Sequence, residues 1–77
     1  MISIKSPLPG TFYLTPAPGE KPFKKNGDKV TEGDIIGLVE VMKTFVEIKS
    51  EDNGIFDNYL IKNEDPVEAG QEIAHLK

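Results

Sequence analysis

A stretch of fifteen mainly apolar residues, Ile35–Lys49, limits how this chain can fold. At about 3.3 Å per residue, one continuous strand of that length would span roughly 50 Å. A compact domain of 77 residues has a radius of gyration of only about 11 to 12 Å. The stretch must therefore fold back near its middle as a β-hairpin, and Lys43 lies close to that turn.

The register of this hairpin follows from pairing residues across two-residue turns. A Met42-Lys43 turn places one apolar, mainly β-branched ladder on a single face. A turn one residue later sets Glu40 against Glu47, a destabilising like-charge pair. The favoured turn predicts two sets of cross-strand pairs: Val41/Thr44, Val39/Val46 and Gly37/Ile48 on the apolar face, and Glu40/Phe45, Leu38/Glu47 and Ile36/Lys49 on a mixed, half-solvated face.

The Met42-Lys43 turn departs from the usual chemistry of tight hairpins. Two-residue turns favour Asn-Gly and similar pairs because both turn residues need positive φ. The chain has two such pairs, Asn26-Gly27 and Asn53-Gly54, but neither lies in this hairpin. Departures from a local rule are typical of functional sites, so Lys43 is a candidate functional residue. The alternative is that it is simply one exposed lysine among nine.

The chain also contains two imperfect copies of one pattern. Matched positions are offset by 44 residues early in the copies and by 37 later, so the first copy carries seven extra residues. An insertion in one half therefore breaks the symmetry next to any functional feature that this half carries. The matches are Ile4-Lys5-Ser6 with Ile48-Lys49-Ser50, Gly10-Thr11-Phe12 with Gly54-Ile55-Phe56, and Asn26, Asp28, Val30, Gly33 and Ile36 with Asn63, Asp65, Val67, Gly70 and Ile73.

Each copy has the pattern of short strands separated by Gly, Pro, Asn and Asp, without sustained helical periodicity. Two intertwined halves predict one all-β domain over residues 1–77, a flattened antiparallel β-barrel or sandwich of two small sheets with pseudo-twofold symmetry. Gly33 and Gly70 are expected to supply positive φ in matching turns. The predicted strands are Ile2–Ser6, Gly10–Tyr13, Lys29–Val30, Ile35–Met42, Thr44–Ser50, Gly54–Ile61, Pro66–Val67 and Glu72–Leu76.

The insertion lies within Tyr13–Lys25, and the stretch Tyr13–Phe23 of this segment is rich in proline. Pro16, Pro18 and Pro22 restrict φ and lower the entropy of the unfolded chain, and Gly19 permits a bend. We expect a defined protruding loop, because a merely flexible one would be rich in Gly and Ser. The alternative is a surface loop without function.

Composition narrows the class of function. The chain has a formal net charge of −4 and no arginine, whereas arginine is the usual residue for recognising phosphates and base edges. We therefore expect no nucleic-acid ligand. Cysteine is absent, and no apolar run is long enough for a secretory signal or a membrane span. We expect a soluble protein of the cytoplasm, or of the plastid stroma if the source is a plant, with no membrane partner.

Glu40-Val41-Met42-Lys43 resembles the Glu-Ala-Met-Lys signature of biotinyl domains, in which a hairpin lysine is amide-linked to biotin. The resemblance covers essentially the whole chain, with two departures from the commonest motif: Val41 replaces Ala, and Thr44 replaces Met or Leu. The insertion favours the branch of the biotinyl/lipoyl family that has an extra loop, called the thumb. Further segments are similar to the biotin carboxyl carrier proteins of bacterial and plastid acetyl-CoA carboxylase, namely Pro9–Tyr13, Thr15–Pro18 and Gly27–Asp34.

This resemblance implies a carrier domain with biotin as its covalent cofactor on Lys43. It implies that biotin protein ligase recognises Glu40 and Met42, and that Thr15 contacts biotin from the thumb. The implied partners are this ligase and the biotin carboxylase and carboxyltransferase of acetyl-CoA carboxylase, an enzyme of fatty acid biosynthesis. The domain would move the carboxyl group between the two enzymes and have no active site or metal site of its own.

Two other interpretations remain open. Lipoyl domains share the barrel and the hairpin lysine, but they typically place Asp before the lysine, where this chain has Met42. The second alternative is a noncatalytic interaction module with an unmodified lysine. An independent enzyme is disfavoured because metal-ligand spacings and phosphate loops are absent. The only histidine, His75, lies on a predicted strand, and a lone histidine is more often structural than catalytic.

Overall fold

Eight short strands and no helix make up the computed structural model, which describes residues 1–77. It therefore contains no helix with the length and apolarity needed to cross a membrane. All eight predicted elements are present, and four of them end earlier than expected. In chain order they are β1 (Ile2–Lys5), β2 (Gly10–Tyr13), β3 (Lys29–Val30), β4 (Ile35–Val41), β5 (Thr44–Lys49), β6 (Gly54–Tyr59), β7 (Pro66–Val67) and β8 (Glu72–Leu76).

The strands form two antiparallel four-stranded sheets, which confirms the predicted fold class. Their strand orders are β1-β8-β6-β3 and β5-β4-β2-β7. Exchanging each strand for its counterpart in the repeat, β1 with β5, β2 with β6, β3 with β7 and β4 with β8, converts one order into the other. Each sheet therefore takes strands from both copies, and neither copy can complete a sheet alone.

Eleven buried apolar side chains from both sheets form the core. Ten of them have a buried apolar counterpart in the other copy of the repeat. The eleventh is Ala74, whose equivalent in the first copy is Gly37. A Cβ atom at Gly37 would lie 2.6 Å from a ring carbon of Phe12, so only glycine fits there. The other ten are repeat counterparts of one another: Ile4 and Ile48, Phe12 and Phe56, Val30 and Val67, Ile36 and Ile73, and Val39 and Leu76.

Two strands end early at buried serines, which were expected to be their last residues. The Ser6 hydroxyl donates a hydrogen bond to the carbonyl of Leu8, and the Ser50 hydroxyl donates one to the carbonyl of Asp52, both at 2.7 Å. Such local bonds favour turns over strand pairing. Each serine therefore starts a turn and leaves the sheet.

The other two early ends also have local causes. β4 was expected to include Met42, but that residue adopts a φ of 51° in the hairpin turn and cannot continue the strand. β6 was expected to reach Ile61, but it ends at Tyr59. Just beyond, the amide of Lys62 donates a hydrogen bond to Oδ2 of Asp65 at 2.9 Å. This bond closes a turn and draws the chain away from the sheet.

The two predicted glycine turns are confirmed. Gly33 and Gly70 have φ values of 94° and 83°, in the left-handed region that glycine enters at little cost. The amide of Gly33 donates to the carbonyl of Ser50, and the amide of Gly70 donates to the carbonyl of Ser6, both at 2.8 Å. The two turns therefore tie the halves of the molecule together by equivalent bonds.

The hairpin of β4 and β5 has the predicted register at the five pairs nearest its turn. The next expected pair is wrong, because Lys49 pairs with Ile35 instead of Ile36. A bulge at Ile36 adds one residue to β4 and buries this side chain completely, rather than leaving it half solvated. The Tyr59 hydroxyl donates a 2.7 Å hydrogen bond to the carbonyl of Ile36, which satisfies a group that the bulge removes from the ladder.

Candidate functional site

The hairpin turn presents Lys43 at the end of the second sheet, as predicted. Met42 and Lys43 have φ values of 51° and 66°, as a type I′ turn requires at both positions. Each non-glycine residue in this region costs about 1 to 2 kcal/mol. The side chain of Met42 is 93% exposed, and Lys43 is exposed and forms no ion pair. The strained turn therefore leaves the lysine amine free to be reached by another protein.

An aromatic pair lies beside the turn. The rings of Tyr13 and Phe45 meet edge to face, with centroids 5.8 Å apart and an interplanar angle of 61°. The Tyr13 hydroxyl donates a 3.2 Å hydrogen bond to Oε1 of Glu40. The pKa of Tyr13 is raised above its ordinary value. The causes are loss of hydration, then the negative charge and hydrogen bond of Glu40, and last the charge of Glu64. Tyr13 thus stays a neutral donor and links Glu40 to the wall of the site.

The inserted loop, which we call the thumb (Tyr13–Phe23), is held by hydrogen bonds at its base and at its tip. The amide of Phe23 donates to the carbonyl of Leu14 at 2.9 Å, and the amide of Glu20 donates to the carbonyl of Ala17 at 3.1 Å. The second bond closes a turn in which Pro18 precedes Gly19, whose φ is 80°. Proline followed by a glycine with positive φ is typical of a type II turn, so the thumb has a defined shape.

A groove of about 440 Å³ lies between the thumb and the hairpin. Its apolar wall includes Leu38 and the half-exposed ring of Phe45, and Thr15 contributes to the thumb side. Asn63 accepts a 2.9 Å hydrogen bond from the amide of Leu14 through Oδ1 and so holds the thumb against the groove. The lining residues are Tyr13, Thr15, Pro16, Ala17, Pro18, Gly19, Leu38, Phe45, Asn63 and Glu64.

The structure brings most of the predicted site residues to this end of the molecule. Thr15 lines the groove, and Glu40 is connected to it through Tyr13. Met42 is exposed in the turn and does not line the groove. His75 lies in the other sheet, where Nε2 is 3.0 Å from Oε1 of Glu72, a structural contact. No group of three metal-ligating side chains occurs.

Sequence reasoning did not identify four residues of the groove. Leu38 and Phe45 were assigned only to strands of the hairpin, and Asn63 only to the repeat. The fourth, Glu64, has a positive φ of 69° although it is not glycine. The repeat carried a signal for it, because the offset of 37 residues aligns Glu64 with Gly27.

The fold and this site together define a class of protein. It consists of small domains of two pseudo-symmetric sheets that display a lysine on the turn of a β-hairpin. In this chain the same hairpin also forms one wall of a groove, and an inserted loop forms another. Within that class, the chain belongs to the family described as biotin-requiring enzyme, whose model matches residues 2–76.

Several relatives share this domain. The chain is 47% identical over 64 residues to "Biotin carboxyl carrier protein of acetyl-CoA carboxylase 2, chloroplastic" of Arabidopsis thaliana, covering 83% of this chain and 25% of that protein. It is 45% identical over 75 residues to the biotin carboxyl carrier protein of acetyl-CoA carboxylase of Porphyra purpurea, covering 97% and 48%. The protein of the same name from Nostoc sp. strain PCC 7120 is 36% identical over 77 residues, covering 100% and 42%. The chain thus spans a quarter to a half of the length of these relatives.

Proposed function

We propose that this domain carries biotin, amide-linked to Nζ of Lys43, as the biotin carboxyl carrier of an acetyl-CoA carboxylase. It moves carboxyl groups between biotin carboxylase and carboxyltransferase for fatty acid biosynthesis, in the cytoplasm or in a plastid stroma. The observation that carries the proposal is the exposed Lys43 in a turn where two non-glycine residues have positive φ. The names of the relatives support the choice of cofactor and of enzyme.

The residues around the groove suit the proposed cofactor. Biotin ends in a urea fused to a thioether ring, which needs apolar contact on its faces and polar partners at its rim. The groove supplies Phe45 and Leu38 for the apolar contact and Thr15 and Asn63 for the polar rim. Phe45 lies two residues beyond Lys43, about 7 Å along the strand, so a ring attached to the lysine through a long acyl chain reaches the groove.

The domain contributes position rather than acid–base chemistry. Lys43 has no carboxylate partner in the domain, so the base that assists amide-bond formation comes from the ligase. We assign recognition by that ligase to exposed Met42 and to Glu40, which Tyr13 holds in place. When bound, biotin supplies a ring nitrogen that accepts and releases CO2 in the active sites of the partner enzymes.

The hairpin then acts as a tether. A ring attached to an exposed turn reaches the active sites of both partner enzymes at a high effective concentration. The protruding Met42-Lys43 turn lets the arm enter a deep site without a clash from the rest of the domain. Thr15 and the thumb hold the ring against the domain between transfers, with a contact worth about 1 to 2 kcal/mol, the net value of a few hydrogen bonds.

The direct test replaces Lys43 and leaves the other eight lysines in place. Lys43→Arg, expressed with a biotin protein ligase, should show no biotin by intact mass and no streptavidin binding. Lys49→Arg is the matched control, because Lys49 is an exposed residue of the same hairpin, and it should be biotinylated fully. Biotin found on Lys43→Arg would contradict the assignment. An unmodified wild-type domain would support the interaction-module alternative.

A further inference from the structure

One position on the rim of the thumb groove breaks the symmetry of the molecule. Glu64 has a φ of 69°, and its repeat counterpart Gly27 has a φ of 93°. The two amides make equivalent hydrogen bonds, from Gly27 to the carbonyl of Phe56 at 2.9 Å and from Glu64 to the carbonyl of Phe12 at 2.6 Å. Glycine is the better residue for this backbone, so the glutamate is held at a conformational cost on the side that faces the groove.

The carboxylate of Glu64 adds negative charge to the groove. Together with Glu40, it helps to raise the pKa of the Tyr13 hydroxyl, after the effect of burial. None of the three ion pairs in the molecule includes Glu40 or Glu64. No lysine lines the groove. The two carboxylates are therefore not neutralised, and the groove repels anions.

We propose that Glu64 makes the thumb groove selective for the uncharged cofactor ring, so that the ring docks before carboxylation and is repelled after it. This inference rests on the proposed function. In carboxylation, a C–N bond forms between a ring nitrogen and a CO2 unit derived from bicarbonate, with ATP cleaved by biotin carboxylase. The nitrogen loses its proton, and the ring gains one negative charge.

The selectivity has a direct consequence for transfer. The free arm is held in the groove by Thr15, Asn63 and the aromatic wall, whereas the loaded arm is released for delivery. A like charge about 6 Å from the carboxylated ring, in a water-like dielectric, lowers the ratio of docked to free ring about threefold. That effect is large enough to bias the arm and small enough to let the ring leave.

The experiment uses the 77-residue domain, labelled with ¹⁵N and biotinylated on Lys43. Amide shifts of Thr15 and Asn63 are compared in the unmodified, biotinylated and carboxylated forms, the last made with biotin carboxylase, MgATP and bicarbonate. Biotinylation should shift both signals, and carboxylation should return them toward their unmodified positions. At 1 M salt, where the screening length falls to about 3 Å, the carboxylated ring should dock again.

In Glu64→Gln, the ratio of docked to free ring should rise about threefold more for the carboxylated form than for the uncarboxylated form. Glu64→Gly suits the positive φ and should give the same result, which separates charge from backbone effects. Glu32→Gln is the control, since it removes the same charge from a residue outside the groove. Equal docking of both forms in the wild type, or equal responses of the Glu64 and Glu32 variants, overturns the inference. Absence of biotin on Lys43 refutes the proposed function itself.

Discussion

At the scale of single residues, the turn keeps a lysine where glycine would be more stable. Lys43 occupies the second position of a type I′ turn with a φ of 66°, a position that usually belongs to glycine. The flanking strands enforce this conformation through five regular cross-strand pairs. The arrangement fits a site at which the amine is needed for attachment and the strain is tolerated.

Lys43→Gly should therefore stabilise the domain while removing the proposed attachment site. We expect the free energy of unfolding to rise by about 0.5 to 1 kcal/mol. This is the cost of holding a non-glycine residue at positive φ, reduced by the larger conformational entropy that glycine loses on folding. Urea unfolding monitored by circular dichroism measures this change. Glu47→Gly, inside β5, should instead lower the stability, because glycine weakens a strand interior. A Lys43→Gly domain less stable than the wild type would show that the turn is not strained.

At the scale of structural elements, the thumb and the bulge in β4 differ in how they relate to the internal repeat. The thumb accounts for the seven-residue difference between the copies, whereas an equivalent bulge occurs in β8 at Ile73, between paired residues Ala74 and Glu72. The bulge thus belongs to the symmetric fold, since both isoleucines enter the core. The thumb belongs to one side only, which is the side with the candidate site.

Deleting Thr15–Lys21 and closing the gap should leave a folded domain that is still biotinylated at Lys43. The core contains no residue of the deleted segment, so its packing is retained. The biotin ring should become more mobile in NMR relaxation, and carboxyl transfer in the assembled enzyme should be impaired. Thr15→Val is the finer variant, because it removes only the hydroxyl. Unchanged ring mobility together with unchanged turnover would show that the thumb has no role in holding biotin.

The bulge should make stability sensitive to alkaline pH through Tyr59. Burial raises the pKa of Tyr59 to about 12, above the ordinary value of 10.0. The stability that its neutral hydroxyl contributes is therefore complete below pH 10 and is lost as the pH rises toward 12, by about 2 kcal/mol at most after allowance for partial exposure. Tyr59→Phe should reduce this dependence in urea unfolding measured between pH 9 and 12. An identical pH profile for the variant would contradict the burial effect.

At the scale of the whole molecule, equivalent turns use different side chains in the two halves. In the first half, Oδ2 of Asp34 accepts the amide of Thr31 at 2.9 Å and a 3.2 Å bond from Lys24. In the second half, Oε1 of Gln71 accepts the amide of Glu68 at 3.0 Å. This turn therefore uses a carboxylate in the first half and a neutral amide in the second.

Asp34 should give the molecule an acid-sensitive component of stability. The hydrogen bond from Thr31, followed by the contact with Lys24, holds the pKa of Asp34 below its ordinary value of 3.8. A lowered carboxyl pKa contributes stability that is present above pH 3.8 and is lost as the pH falls through the lower folded value. Asp34→Asn should lose less stability below pH 4 than the wild type in thermal unfolding, and Asp52→Asn is an exposed control. Equal acid sensitivity in Asp34→Asn and the wild type would contradict this assignment.

The sequence by itself determined the eight strands, the hairpin register over the five pairs nearest the turn, and the place of Lys43. These depend on alternation along neighbouring residues, on turn chemistry and on an internal repeat, all of which are visible in the sequence without knowledge of tertiary contacts. Gly33 and Gly70 were predicted for the same reason. The resemblance to biotinyl domains added the roles of Glu40 and Thr15, which remain proposals.

Only the tertiary structure decided the bulge at Ile36 and the groove. A bulge interrupts the two-residue alternation of side chains along a strand by one extra residue. Its cause is the fit of the Ile36 side chain into a core that strands distant in sequence build. The groove depends on contacts such as that between Leu14 and Asn63, which are 49 residues apart. Whether a side chain such as Phe45 faces solvent or a loop depends on which strand the topology places beside it, and local sequence does not contain that information.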